Sequence, residues 1–290
     1  MRIGVVFPQT EIGGDAGAVR AYAEKVEGLG YSHLIAYDHV VGADTAVHRG
    51  WQGPYDMHST FHEPLVLFGY LAALTSLELV TGIIILPQRQ TVLVAKQAAE
   101  VDLLCGGRFR LGVGLGWNTV EYEALGKDFS DRGKRVEDQV ELLRRLWTEP
   151  SVTFEAPDEK VTGAGLAPLP VQRPIPIWFG AASPPAYRRA GRLGDGWFPL
   201  IPPGPKLDEA RALVDAAAVE AGRDPSTLGL EGRVSWGEGG ATLVADHAER
   251  WRQIGATHLS VNTMGAGLAS VDAHLDALAA SAEVLGVTPR

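Results

Sequence analysis

The chain has 290 residues, 46% of them hydrophobic and 21% charged, and a formal net charge of −9, ordinary values for a soluble globular protein able to bury a large core. Without a long basic run it lacks the electrostatic footprint for nucleic acid or an anionic membrane, so the expected partner is a small molecule. Cys105 is the single cysteine, so neither a disulfide nor a cysteine-rich zinc site can be assembled within one chain.

Residues 1–10, MRIGVVFPQT, carry an apolar run too short for a signal sequence and no small-residue cleavage site. No window holds about 18 uninterrupted apolar residues, and the expectation is a soluble, cytoplasmic protein. From there, short β-branched runs alternate with helical periodicity to the end of the chain. Strands are expected at 3–7, 33–37, 79–86, 109–113, 175–179, 196–199, 228–234 and 257–261. Helices are expected near 15–29, 64–76, 91–104, 133–147, 184–193, 207–221, 241–254 and 269–285. The first helix shows the logic: Val19, Tyr22, Ala23 and Val26 recur at helical spacing, and Gly28 and Gly30 close it. Eight strand–helix pairs suggest one α/β domain over 1–290, a closed (β/α)8 TIM barrel rather than an open sheet. Two stretches exceed simple connections, residues 40–63 after the second strand and 150–174 after the fourth pair. The first is expected to cover the site as a lid; the second has room for a hairpin around 152–154 and 160–161.

In such a barrel, chemistry sits at the carboxyl ends of the strands. Those ends supply few donors among apolar and aromatic side chains, which suits a flat ring system better than a sugar. In IAYDHVV, Asp38 and His39 interrupt an apolar run. An imidazole here could move a proton, and Asp38 could orient it or stabilise its charge, although neighbours on a strand point opposite ways. Alternatively, the pair simply closes a strand at the surface. In FGAASPPAY, small residues lead to Ser183 as an N-cap and Pro184 in the first helical turn, a pattern that favours a phosphate or serves as an ordinary capped loop. GVGLGW lacks the third glycine and the following acidic residue of a dinucleotide fingerprint; its glycines can instead let backbone approach a ring beside Trp117 and Asn118. No His-x-His pair ends the first strand, and His48, His58 and His62 have no ligand spacing, so no metal is expected.

YDHV, the block TGIIILPQRQTVLVAKQAAEVDLLCGGRFRLGVGLGW and AGRLGDGWF together resemble the bacterial luciferase-like superfamily, and especially its deazaflavin (coenzyme F420)-dependent oxidoreductases, over nearly the whole chain. The resemblance implies a homodimeric barrel with the cofactor ring at the strand ends. It also implies a non-prolyl cis peptide on the third strand, expected at Ile83–Ile84, with Ile84 or Ile85 behind the ring. Asp38 and His39 would lie near the ring; Leu115, Gly116 and Trp117 match the cofactor-contacting strand end, with Asn118 bordering it. Gly180, Ala181, Ala182 and Ser183 match the phosphate loop. Related sugar-phosphate dehydrogenases carry an acidic proton donor where this chain has Trp117, which leaves His39 as the acid/base candidate and ranks Glu121, expected on a following short helix, below it.

The implied activity is hydride transfer between coenzyme F420 and a small organic substrate, with Trp51, Tyr55 and Phe61 of the insertion either shaping a substrate pocket or packing the insertion itself. The alternative within the fold is an FMN-dependent monooxygenase using reduced flavin and O2. A barrel hydrolase or isomerase would need convergent carboxylates or a lysine base that the strand ends lack, and a non-catalytic binding protein would have no reason to keep the cofactor-matching positions.

Overall fold

The protein was analysed as a computed structural model, which describes residues 1–12 and 14–290. Its elements, in order, are β1 (Arg2–Val6), α1 (Gln9–Ile12), α2 (Ala16–Gly28), β2 (His33–Ala36), α3 (Pro64–Leu71), β3 (Glu78–Thr81), β4 (Ile84–Ile85), α4 (Thr91–Leu104), β5 (Phe109–Gly114), α5 (Thr119–Ala124) and α6 (Arg132–Thr148). They continue with β6 (Val152–Ala156), β7 (Glu159–Ala164), β8 (Ile177–Ala181), α7 (Pro184–Leu193), β9 (Gly196–Pro199), α8 (Pro205–Glu220), β10 (Gly229–Ser235), α9 (Gly240–Gln253), β11 (His258–Asn262) and α10 (Val271–Leu285).

Parallel pairing runs β1, β2, β3, β5, β8, β9, β10, β11, and β11 returns to β1 in the register Arg2↔His258 to Val6↔Asn262. This is the expected closed (β/α)8 barrel. Each of these eight strands is paired on both sides, so the barrel leaves no edge open. The expected strand at 79–86 is two pieces. β3 stops at Thr81, the chain bulges through a cis Gly82–Ile83 bond, and β4 resumes pairing with β5 as Ile84↔Val113 and Ile85↔Gly114 before a 3-10 turn at Leu86–Gln88. The cis bond thus lies one residue before the expected Ile83–Ile84. A Cβ on Gly82 would come within 2.3 Å of Ile35, so the bulge passes the neighbouring strand where only glycine fits. The expected hairpin is present as antiparallel β6–β7, with Phe154↔Val161 and Glu155↔Lys160.

Helices cover the barrel with the faces their periodicity presents. In α2, Val19, Tyr22, Ala23 and Val26 are buried. In α6 the fully buried Trp147 donates its indole N–H to the Ala95 carbonyl of α4 at 3.0 Å; removing such a side chain typically costs about 3–5 kcal/mol.

The barrel interior is layered. At its floor Arg110, Glu231, His33 and Ser260 form a buried polar cluster, with Arg110 Nη1 2.6 Å and His33 Nε2 2.7 Å from the Glu231 carboxylate and the Arg110 guanidinium 4.1 Å from the centre of the Trp178 ring. A Cβ at Gly229 would lie 2.1 Å from Trp178, so β10 must carry glycine there for the indole to fit. Above the cluster, Val6, Ile35 and Val80 form a thin apolar layer with Tyr37 and Phe198 against it. The cavity opens above that layer and reaches past it to Glu231 and Ser260.

Candidate active site

A cavity of about 560 Å3 occupies the carboxyl end of the barrel, where βα loops place functional groups in this fold. Of the expected site residues, Asp38, His39, Ile83, Ile85, the run from Leu115 to Asn118 and the loop from Gly180 to Ser183 line it. Ile84 does not: it is fully buried in the main core, because successive residues of β4 face opposite ways. Of the two, Ile85 rather than Ile84 therefore faces the cavity.

One wall is a flat apolar platform. Cβ atoms added at Gly114 and Gly180 would stand 2.6 and 3.2 Å from the Ile83 side chain, and one at Gly116, whose φ is +67°, would stand 2.8 Å from Ile85. Glycines at these strand ends let the bulged isoleucines lie against the sheet instead of being pushed into the cavity.

His39 stands at the edge of the platform in an aromatic enclosure. Its ring centroid is 4.6 Å from Phe61, 5.1 Å from Tyr55 and 5.6 Å from Trp117, each edge to face. Two of these rings come from the insertion after β2, so the segment expected as a lid builds the site. Trp51 packs on Trp117 and donates to the Tyr55 carbonyl at 2.9 Å, holding the insertion together.

The carboxylate facing His39 is Glu121, the residue ranked second from the sequence. Its Oε2 lies 3.7 Å from His39 Nδ1 and accepts from Gln88 Nε2 at 3.1 Å, while Oε1 accepts from the Val40 and Val41 N–H groups. Burial opposes ionisation of Glu121, but His39, the Val40 N–H and Gln88 outweigh it and hold the carboxyl below its usual value. Asp38 does not orient His39. Its Oδ2 accepts from the Ile85 N–H at 3.0 Å and its Oδ1 from Arg89 at 2.7 Å, and Arg89 in turn holds Glu63 at 2.7 Å. Asp38 thus ties the platform strand to the end of the insertion. Burial raises its carboxyl despite Arg89 and the Ile85 N–H. Asn118, which borders the cavity, caps α5 by accepting from the Val120 and Glu121 N–H groups at 3.1 and 3.2 Å.

Ser183 ends the N-terminal side of α7 with extended backbone, yet its hydroxyl makes no capping bond. Pro184 and Pro185 lack N–H groups, so the helix first offers the Ala186 N–H, and Arg132 supplies a positive charge in the same cavity. The anion signal rests on these groups more than on a conventional cap. Sequence reasoning passed over Arg132, Tyr37 and Arg233, which also line the cavity. No cluster of three potential metal ligands occurs among the described residues, and none of their helices is long and apolar enough to cross a membrane.

Fold and site together define a barrel whose largely apolar mouth sets one histidine beside a glycine-backed isoleucine platform. Residues 1–283 match the model of the luciferase-like monooxygenase family, and the chain belongs to that family. Among relatives, the F420-dependent hydroxymycolic acid dehydrogenase of Mycobacterium tuberculosis (strain ATCC 25618 / H37Rv) is 29% identical over 256 residues, covering 86% of this chain and 66% of the relative. The monooxygenase RslO1 of Streptomyces bottropensis shares the fold with a TM-score of 0.79 and 21% identity over 98% of both chains. An F420-dependent secondary alcohol dehydrogenase, solved with an F420–acetone adduct, does so with a TM-score of 0.78 and 17% identity over 97% of this chain and 98% of its own.

Proposed function

We propose that this protein is a coenzyme F420-dependent oxidoreductase that transfers a hydride between the deazaflavin and a small organic substrate. The observation that carries the reading is the glycine-backed isoleucine platform facing a cavity whose potential proton donor is His39, enclosed by aromatic rings and backed by Glu121. The F420-dependent relative supports it independently.

The residues fit the cofactor. Ile83, Ile85, Leu115 and Gly116 would support its ring, and the Ser183 hydroxyl, the Ala186 N–H and Arg132 would hold its phosphate-bearing tail. When bound, the deazaflavin supplies a hydride donor or acceptor at C5. His39 exchanges a proton with the substrate oxygen through Nε2, the nitrogen not turned to Glu121, while Glu121 sets negative charge beside the ring. Tyr55, Phe61 and Trp117 exclude water from that exchange.

The second reading, an FMN-dependent monooxygenase working with O2, is favoured by the family's general character and by the RslO1 fold; the platform would serve either ring. Titration with coenzyme F420 and with FMN separates the two. Trp117, 41% exposed and bordering the cavity, is the fluorescence reporter. Micromolar binding of F420 with much weaker FMN binding is expected; the reverse preference would move the protein to the monooxygenases.

A further inference from the structure

The cavity wall holds three carboxylates and two guanidinium groups, and they are unevenly matched. Asp38 has Arg89, Glu231 has Arg110 and His33, and Glu121 has His39 with amide donors. Neither Arg132 nor Arg233 forms an ion pair among the described residues. Arg132 lies over the Phe129 ring, 3.5 Å from its centre, at the edge of the cavity shared with Ser183 and Ala186.

Arg233 is placed differently. It projects from β10, two residues beyond the inward-facing Glu231 and therefore also inward. In the closed strand order β10 stands across the barrel from β3, β4 and β5, which build the platform. Its one side-chain hydrogen bond donates Nη1 to the Tyr37 hydroxyl at 2.9 Å. Tethering Nη1 leaves the Nε–Nη2 edge free, the edge whose parallel donors match the two oxygens of a carboxylate. Arg233 is solvent-exposed at the cavity mouth, and in a chain of net charge −9 a cation without an ion-pair partner there is what draws an anion in.

We propose that Arg233, set by Tyr37, recognises a carboxylate on the substrate. The substrate class is then a small apolar acid whose reactive carbon–oxygen or carbon–carbon bond lies toward His39. Tyr55, whose ring lies edge-on to His39, lines the same cavity as Arg233. The inference names the substrate of the oxidoreductase proposed above and rests on that reading for the redox step, while carboxylate recognition itself is measurable without it.

The test is calorimetric titration of the purified full chain with benzoate and, separately, benzamide, a neutral molecule of the same shape. Benzoate is expected to bind at least tenfold more tightly. Arg233→Met should abolish that preference while leaving F420 binding unchanged, Arg233→Lys should keep part of it, and Tyr37→Phe should weaken benzoate a fewfold. Equal binding of the two probes by the wild type, or an undiminished preference in Arg233→Met, would overturn the proposal. Should Arg233→Met fail to fold, the graded losses in Arg233→Lys and Tyr37→Phe carry the same decision, and unchanged preference in both overturns it. A benzoate preference that depends on Arg233 in a chain that does not bind F420 would sink the cofactor reading and leave the carboxylate site standing.

Discussion

The barrel contains two histidine–glutamate pairs, and they serve different ends. At the floor, His33 and Glu231 meet at 2.7 Å with side-chain exposures of 0% and 1%. At the mouth, His39 and Glu121 stand 3.7 Å apart, with His39 13% exposed. The floor pair is completed by Arg110 and Ser260, and the outer nitrogen of His33 is taken by the Ser32 hydroxyl. Burial would raise the Glu231 carboxyl, but Arg110 and His33 overcome it and hold it far below the usual range. At the mouth, Glu121 is satisfied mainly by backbone and amide donors, and one nitrogen of His39 is left for a ligand. The same two side chains make a structural plug where a third charge closes the set and, in the function proposed above, a reactive site where aromatic rings close it instead.

This contrast can be broken at either pair, and the floor should give the larger loss of stability. Glu231→Gln keeps the shape but leaves Arg110 buried with weakened compensation, so urea unfolding should show a loss of about 3–5 kcal/mol. A loss under about 1 kcal/mol would mean that water reaches the cluster. At the mouth, His39→Ala should lower kcat about 10²–10⁴-fold with a true substrate while shifting the unfolding midpoint little. Asp38→Ala, one residue away, should do the opposite: it removes the charge-assisted bonds to Arg89 and Ile85, worth about 1.5–3 kcal/mol of stability. If Asp38→Ala proves as inactive as His39→Ala without being destabilised, Asp38 takes part in the chemistry.

The repeating elements were legible because each carries its own local signal. Helix α7 matches its expected bounds, with Pro184 at its first turn and Gly194 at its stop. The apolar run from Leu79 to Leu86 concealed a bulge, since three successive isoleucines read alike whether the backbone runs straight or turns through Gly82–Ile83. His39 could be found because a polar residue ending a strand is conspicuous. Its partner Glu121 could not be assigned, because it is 81 residues from Val40, which it holds, and no local pattern spans that distance. Arg233 did leave a trace in LEGRVSW, where Glu231 and Arg233 alternate on one face of a strand. Two charges at a spacing of two residues share the inner face of the strand, and the outer of them, Arg233, reaches the exposed mouth of the barrel.

The smallest expected effect sharpens the contrast from the floor. Beside the cluster, His258 packs edge-on against His33 and Trp178. Burial, and then Arg110, push its imidazole down to about 3 from an ordinary value of 6.5. Between those values the unfolded chain binds a proton at this position that the folded barrel refuses, so stability falls as pH falls from 6.5 toward 3, and above 6.5 the group contributes no pH dependence. Glu231 also loses stability in acid, but only once the unfolded carboxyl begins to protonate near its ordinary 4.5. Between about pH 4.5 and 6.5 Glu231 therefore adds little, and comparison with a His258 variant separates this imidazole from His274, which burial also lowers. Urea unfolding of His258→Gln across that interval should show a shallower decline than the wild type, by up to one proton's slope. Identical slopes would show that the folded floor accepts the proton, and the plug would then be wetter than its hydrogen bonds imply.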